Sequence, residues 1–404
     1  MKQRTLGQRG ARGLAVITAA ALSAAPLTVY GADKPNNNIA DVEAPRPDID
    51  QDMSPSFAYS DEKWASLRDN VMEYEELGDL IHEYNPTVRS NRATYNDQKN
   101  KDLNDVYDEL MSDVQDIWDS ASDSDNDVME ATLNFSANSL AQQADNNYQD
   151  AEMEKIQYDQ TEAGLVYQAQ QLMSTYEQSR YNLENLQSTR DLLQAQYNLA
   201  QTQRSVGAAT DTDVLNALKS VQDQDAAIVS AQKSQDNVHR TLCLMLGWEA
   251  DAQPEIQDVP EPDLSRIDSM DPQKDLEQAT ANNYDVRYYT RKINNVTTTS
   301  LVEAAQASLE DAKNTVARSL ETQYNTVLTT RDSLNTAQAQ FDLAAVNLNT
   351  AQAQMAVGAI TPVEFQSVEN SYTAAKNGVE TAKLQLQMAI EGYDWIVKGL
   401  TTSN

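Results

Sequence analysis

One short phrase occurs twice in this chain, and the repetition limits what it can fold into. Arg204-Ser205-Val206-Gly207-Ala208-Ala209-Thr210 is echoed 151 positions later by Met355-Ala356-Val357-Gly358-Ala359-Ile360-Thr361. Each copy sits between a long Gln/Ala-rich run and a shorter one. A period of this length is too large for a small solenoid repeat, so it points to duplication of a whole half-protein. The phrase itself reads as the tip of a helical hairpin. Glycine stands where a helix ends in a left-handed conformation. Thr210 or Asp211 in the first copy, and Thr361 in the second, then restart a helix, with Pro362 at a first helical position where its missing N–H costs nothing.

The runs flanking each turn carry apolar residues at helical spacing. In the first half the seam is Leu172, Tyr176, Leu183, Leu186, Leu193, Tyr197 and Ala200; in the second, Leu334, Phe341, Leu348 and Met355 recur every seven residues. Such spacing calls for coiled-coil-like packing of helix on helix. The seams are diluted by Gln, Asn, Ala and Thr, and the opposite faces are also rich in Ala. Each helix therefore reads as touching neighbours on more than one side, as in a ring of helices. With only 12 Gly, 11 Pro and 6% aromatics in 404 residues, long uninterrupted helices and an all-α class are expected.

The ends and the middle differ in character. Lys2, Arg4, Arg9 and Arg12 precede an apolar run from Leu14 to Ala25, then Pro26 and a small-residue site at Val29-Tyr30-Gly31. Residues 1–31 thus read as a secretory signal peptide, with an apolar run too short to span a membrane. Residues 32–60 read as a disordered leader rich in Pro, Asn and Asp. A first helical repeat is expected over 61–248, its pattern opening on Leu67, Val71, Tyr74, Leu77 and Ile81. An Asp/Pro/Glu-rich linker follows over 249–272, then a second repeat over 273–398 and a frayed tail over 399–404. The formal charge is −32, and loss of the basic first segment makes the remainder more acidic still. Such a chain repels nucleic acid and anionic lipid surfaces. Cations, basic protein surfaces and copies of itself are its natural partners.

Chemistry-bearing patterns are sparse. Cys243, alone of its kind and in apolar company, reads as a small core residue. His82 and His239 lie in different helices without partners at ligand spacing and read as exposed or capping residues, not metal ligands. Asp123-Ser124-Asp125-Asn126-Asp127 begins like a calcium loop, but Val128 replaces the required Gly and Asn134 the closing Glu. It reads as a solvated acidic loop. With no phosphate loop, nucleophile elbow or dinucleotide fingerprint in the sequence, neither an enzyme nor a cofactor is expected.

The duplicated turn resembles that of the TolC family of outer-membrane efflux proteins. The pattern is a long helix, Val-Gly, then an acidic and an apolar residue opening a return helix, twice per chain. It stands here as Val206-Gly207 with Asp213-Val214-Leu215, and as Val357-Gly358 with Glu364-Phe365. The halves open on Asn85-Pro86-Thr87-Val88-Arg89 and, less closely, on Asn283-Tyr284-Asp285-Val286-Arg287. An aromatic precedes the turn at Tyr324 and, approximately, at Tyr176. The resemblance covers roughly residues 64 to 398. It implies a homotrimer whose long antiparallel hairpins form a twelve-helix α-barrel, an exit duct in the cell envelope served by a periplasmic adaptor and an inner-membrane pump. It further implies adaptor contact at the tips, Val206, Gly207, Ala208, Ala209, Val357, Gly358, Ala359 and Ile360. Asp213 and Glu364 match acidic residues that line the pore end. At the second tip Met355 and Ile360 stand where the family can carry an aromatic and an Arg that lock the closed end, and Ser367 stands where a second acidic ring residue can occur.

The same resemblance implies a membrane-spanning β-hairpin in each half, and here the sequence departs from it. The opening motifs are offset by 198 positions (86 to 284) and the turns by 151, so the second half is 47 residues shorter in that region. Membrane strands need about 9 to 11 alternating residues each. Val296-Thr297-Thr298-Thr299-Ser300 leaves no room for them. In the first half Asp113 to Asp127 is dominated by Asp and Ser, and only Leu133 to Ala137 alternates. Barrel strands are therefore expected to be absent or vestigial, giving an exported protein that does not insert into an outer membrane by itself. The leading reading is an exit duct; the rival is an exported structural coiled coil of the cell envelope without a channel.

Overall fold

The computed structural model describes residues 59–401. The expected signal peptide and the leader up to residue 58 lie outside the described residues. From the first described residue the order is α1 (Asp61–Ser66), β1 (Val71–Met72), a 3₁₀ turn (Tyr74–Glu76), α2 (Leu77–Tyr84), α3 (Pro86–Gln98), α4 (Leu103–Ser122), α5 (Asp127–Asp145), α6 (Ala151–Ser205) and α7 (Asp211–Met245). The second half continues with β2 (Glu255–Ile256), α8 (Leu264–Ser269), α9 (Pro272–Asn282), α10 (Tyr284–Asn295), α11 (Thr299–Ala356) and α12 (Pro362–Lys398). The all-α expectation holds. Among the described residues the strands are β1 and β2 alone, two residues each, far short of a membrane strand. No described helix is long and apolar enough to cross a membrane.

Two hairpins dominate, α6–α7 and α11–α12. At 1.5 Å per residue, the 55 residues of α6 and the 58 of α11 reach about 80 to 90 Å. The sequences that form them are rich in good helix formers, and Pro362 falls at a helix start where it is tolerated. Laterally, α7 packs on α6, α6 on α12 and α12 on α11. The result is a four-helix layer with α7 and α11 at its edges. The central α6/α12 seam is polar: Asn377 donates to the Tyr181 carbonyl (3.3 Å) and to Asn185 (2.9 Å), Thr189 pairs with Asn370, and the Trp395 indole donates to Gln170 (2.7 Å). Paired amides fix the register between long, weakly apolar helices, because a slip would leave them unsatisfied.

Large apolar side chains concentrate at the end of the hairpins remote from the glycine turns. The first core joins Trp64, Leu67, Met72, Leu77, Leu80 and Ile81 to Met173, Leu242, Leu246 and Trp248. The second joins Ile267, Met270 and Ala279 to Val316, Leu320, Tyr393 and Ile396. The expected helix from Leu67 to Ile81 is instead broken. Val71 and Met72 form β1, which pairs in parallel with Glu255 and Ile256 of β2. The two pairs span the junction of the halves, and the segment over 249–272 packs on the first core through Ile256 and Val259 and then joins the second through Ile267 and Met270. Glu177, buried on α6, accepts the Val259 amide at 2.7 Å and holds that segment in place. Helical spacing could not reveal this, because the break is set by a strand partner about 180 residues away.

The residues by which the first half is longer form a helical hairpin. In α5, Leu133 is half-buried and Ala137 and Ala144 are buried, while Val114 and Ala121 are buried on α4. The short alternation at Leu133 to Ala137 is therefore part of a helix, because the seam continues at spacings of three and four. In the second half α10 passes to α11 through residues 296–298 alone. The start of α6 is tied across the halves: Arg291 Nε lies 2.9 and 2.8 Å from the two carboxylate oxygens of buried Asp150, which also caps Met153 N–H.

The frayed tail is corrected as far as residue 401. Gly399 caps α12 at φ 115°, Leu400 is buried, and Thr401 accepts a hydrogen bond from Asn283 at 2.7 Å. An apolar Leu and a satisfied backbone hold the segment against α9 and α10.

Candidate functional site

Both glycine turns fold alike. Helix α6 ends as Gly207 adopts φ 76°; the Ala208 amide donates to the Gln203 carbonyl (2.7 Å) and the Gly207 amide to that of Arg204 (3.0 Å). At the end of α11 Gly358 adopts φ 71°, with Ala359 bonded to Gln354 (2.8 Å) and Gly358 to Met355 (3.1 Å). This pair of bonds is the Schellman arrangement, which satisfies the last carbonyls of a helix and needs a residue without Cβ strain at its left-handed position. Three residues further on, Thr210 and Thr361 open the return helices.

The acidic residues act here as caps. Asp213 accepts from the Thr210 amide (2.8 Å) and hydroxyl (2.7 Å), while the Asp213 amide donates back to the Thr210 hydroxyl (3.2 Å). Glu364 makes the same reciprocal set with Thr361 at 2.7, 2.9 and 3.3 Å. These are capping boxes. The backbone amide bond, followed by the hydroxyl bond, holds each carboxyl below its usual range. Both carboxylates face solvent.

Between the caps each tip presents an apolar residue to solvent. Val206 is 76% and Val357 79% exposed; Gly207, Ala208, Gly358 and Ala359 are exposed, and Ala209 and Ile360 are half-buried. The eight tip residues therefore form two surfaces of matching design, one at each hairpin. They differ in charge: Arg204 pairs with Asp211 at the first, whereas Met355 and Pro362 hold those positions at the second. Below the second tip, Asn347, Thr350, Ala351, Gln354 and Ser367 line a groove of about 420 Å³ between α11 and α12.

Away from the tips the sequence reading of His82 needs correction. His82 is 6% exposed; its Nδ1 lies 2.8 Å from Glu162 and its Nε2 2.7 Å from Arg92. Since Arg92 can only donate, Nε2 accepts and Nδ1 carries the proton toward Glu162. The imidazole sits on the apolar face of α2, whose Leu80 and Ile81 neighbours pull it inward, so it is a core linker between α2, α3 and α6. His82 and Arg92 border a cavity of about 740 Å³ with Lys155, Tyr158, Tyr284 and Trp395. His239 packs against Tyr176 and Cys243. Burial pushes the Cys243 thiol up to about 11, as suits a core residue. Among the described residues no group of three His, Cys, Asp or Glu is placed to hold a metal ion. Of the Asp123–Asp127 segment, residues 123–126 form the turn between α4 and α5 and Asp127 opens α5.

No family model and no curated protein matches the sequence. The fold has clear counterparts among solved structures. The chain is similar to the outer-membrane channel OprN at 12% identity, covering 83% of this chain and 92% of that one with a TM-score of 0.54. A membrane protein from Pseudomonas aeruginosa matches at 13% identity over 80% and 93% of the two chains, TM-score 0.51. CusC, described for its folding and transmembrane channel formation, matches at 12% identity over 82% and 96%, TM-score 0.50. The duplicated hairpins thus share their fold with these channel structures, as the resemblance in the sequence implies. This chain's strands, among the described residues, are reduced to the β1–β2 pair.

Proposed function

We propose that this protein is the exit duct of an efflux or type I-like export system, assembled from three copies whose four-helix layers close into a ring of twelve helices. The observation that carries this reading is the open layer α7–α6–α12–α11. Each of its two edges leaves apolar side chains uncovered: α7 exposes Leu215 (63%) and Val229 (48%), two heptads apart on one stripe, and α11 exposes Leu343 (62%) and Val346 (61%). The α7 edge of one copy set against the α11 edge of the next covers both, a head-to-tail contact that closes on itself. On the α11 side of the pairing, Leu343 to Val363 carry no charged side chain in a chain of formal charge −32, so that edge meets the next copy without setting carboxylate against carboxylate.

In the ring the tips lie together at one end. Val206, Gly207, Ala208 and Ala209, with Val357, Gly358, Ala359 and Ile360, then form the docking surface for a periplasmic-type adaptor, and an inner-membrane pump behind the adaptor supplies the energy. Asp213 and Glu364 lie just behind that surface. Three copies bring six carboxylates to the narrow end, an arrangement that favours cations over anions. No catalysis is involved, and the protein acts in the cell envelope after export. The single layer with two open edges argues against a solid coiled-coil spacer, whose helices would cover one another.

Electron microscopy and native mass of the mature chain test the reading. Trimers with a visible lumen are expected, and Leu343→Asp combined with Val346→Asp should give monomers of unchanged helicity. Monomeric wild-type protein, or trimers with no lumen, would sink it. For the tips, Val206→Asp with Val357→Asp should leave the trimer intact and abolish crosslinking to the adaptor.

A further inference from the structure

The α4–α5 hairpin is the part of the chain for which the duct has no evident use. It occupies the place between α3 and α6 where the second half has only residues 296–298, and its helices pack principally on each other. Its two outer faces are opposite in kind. On α4, Asp105, Glu109, Asp113, Asp116 and Asp119 recur at spacings of three and four and form an acidic stripe turned from the seam. A stripe of this kind is a solvated face.

Helix α5 is different. From Ala131 to Ala144 it bears no charged side chain, although the chain as a whole is 23% charged. Ala137 and Ala144 are buried against α4, whereas Val128 and Phe135 are 76% and 77% exposed. Residues seven apart share one stripe of a helix, and the 3.6-residue turn places that stripe about 180° from the Ala137–Ala144 seam. Helix α5 thus has two apolar faces, and one of them has no partner. Around Phe135 the outer face is Thr, Ser, Asn and Gln, the composition with which α6 and α12 bond to each other through Thr189, Asn370, Asn185 and Asn377.

We propose that the outer face of α5 is a contact between copies of this chain. The α4–α5 hairpins of the ring pack together through Val128 and Phe135, forming a helical collar at the end remote from the glycine tips. A second copy is the occupant that fits. The face is one of the few on this chain that can approach another copy without setting carboxylate against carboxylate, and the acidic α4 stripes then point outward to water. Such a collar narrows the duct at the end where the family resemblance would place membrane strands. The inference rests on the trimeric ring proposed above.

Single-cysteine variants of the mature full chain test it, with buried Cys243 left in place. Under mild oxidation Phe135→Cys should give disulfide-linked dimers within particles that remain trimeric by native mass, because threefold symmetry brings the same position of each copy together. Asp116→Cys, on the acidic stripe, should give none. Trimers in which Phe135→Cys stays uncrosslinked overturn the collar and leave the duct standing. Equal crosslinking at both positions marks random collision and also overturns it. Absence of trimers with either variant and with wild type removes the ring and the collar together.

Discussion

The side-chain amide of Asn283 donates to the carbonyl of Gly399 at 3.0 Å, while its oxygen caps α10 at the Val286 amide, also at 3.0 Å. Asn85 does the same in the first half, donating to the Met245 carbonyl at 3.0 Å and accepting from Thr87 at 3.0 Å. Each half is thereby closed by one Asn that starts the short helix of its opening motif and receives the end of its returning helix. Both residues are buried, at 1% and 4% exposure. Asn283→Ala removes the cap and the stronger of the two bonds the Gly399 carbonyl accepts, leaving it the Tyr284 amide at 3.3 Å, for a loss of about 1 to 2 kcal/mol. Asn283→Asp keeps the cap but loses the donor and sets a carboxylate against a carbonyl, so it should be no milder. The midpoint of chemical unfolding measures both, and an unshifted midpoint for Asn283→Ala would refute this role.

The tip glycines differ from Gly399 in what a Cβ would meet. At Gly207 and Gly358 nothing lies in its way, and the cost of alanine comes from the left-handed backbone alone, about 1 kcal/mol each. At Gly399, with φ 115°, a Cβ would also run into the backbone of Asn282. Gly399→Ala should therefore destabilise more than either tip variant and detach the last residues from α9 and α10. Unfolding midpoints ranked in the other order would contradict the geometry.

Protonation should loosen the tips before the body. Asp213 and Glu364 have lowered folded-state values, set first by the Thr210 and Thr361 amides they accept. A depressed carboxyl contributes stability that is complete above its unfolded value, about 4 for these residue types, and is lost as pH falls through the lower folded value. Hydrogen exchange, corrected for its intrinsic pH dependence, should show protection around Thr210 and Thr361 to be steady near neutrality and to fall below about pH 4. Asp213→Asn with Glu364→Gln, which removes the titrating groups, should abolish that dependence. Protection at these amides unchanged down to about pH 3 would exclude the caps as their cause.

Much of the architecture was legible because the hairpins are built from local signals. The Val-Gly turn, the Thr restart and Pro362 each act within a few residues, so the Schellman ends and the starts of α7 and α12 could be read from adjacent positions. Lack of room for strands in the second half was equally plain, since it follows from chain length. What was missed depends on distant partners. Val71 kept a helical spacing yet forms a strand with Met72, because β2 offers them a ladder. His82 was misread as exposed because its Glu162 and Arg92 partners lie on two other helices. Asp213 and Glu364 matched a pore position by resemblance, and their engagement by Thr210 and Thr361 became visible only with the side chains in place.

By itself, then, the sequence determined the duplicated helical hairpins, their capped tips and the absence of membrane strand pairs from the shorter half, because helix propensity, capping and chain length are local quantities. Tertiary structure decided which helices stand at the edges of the layer, that the segment between the halves packs first on one core and then on the other, and that α5 keeps an apolar face without a partner. These depend on which surfaces meet across long stretches of chain, and a one-dimensional pattern of apolar residues does not distinguish a face covered by a neighbour from one left open.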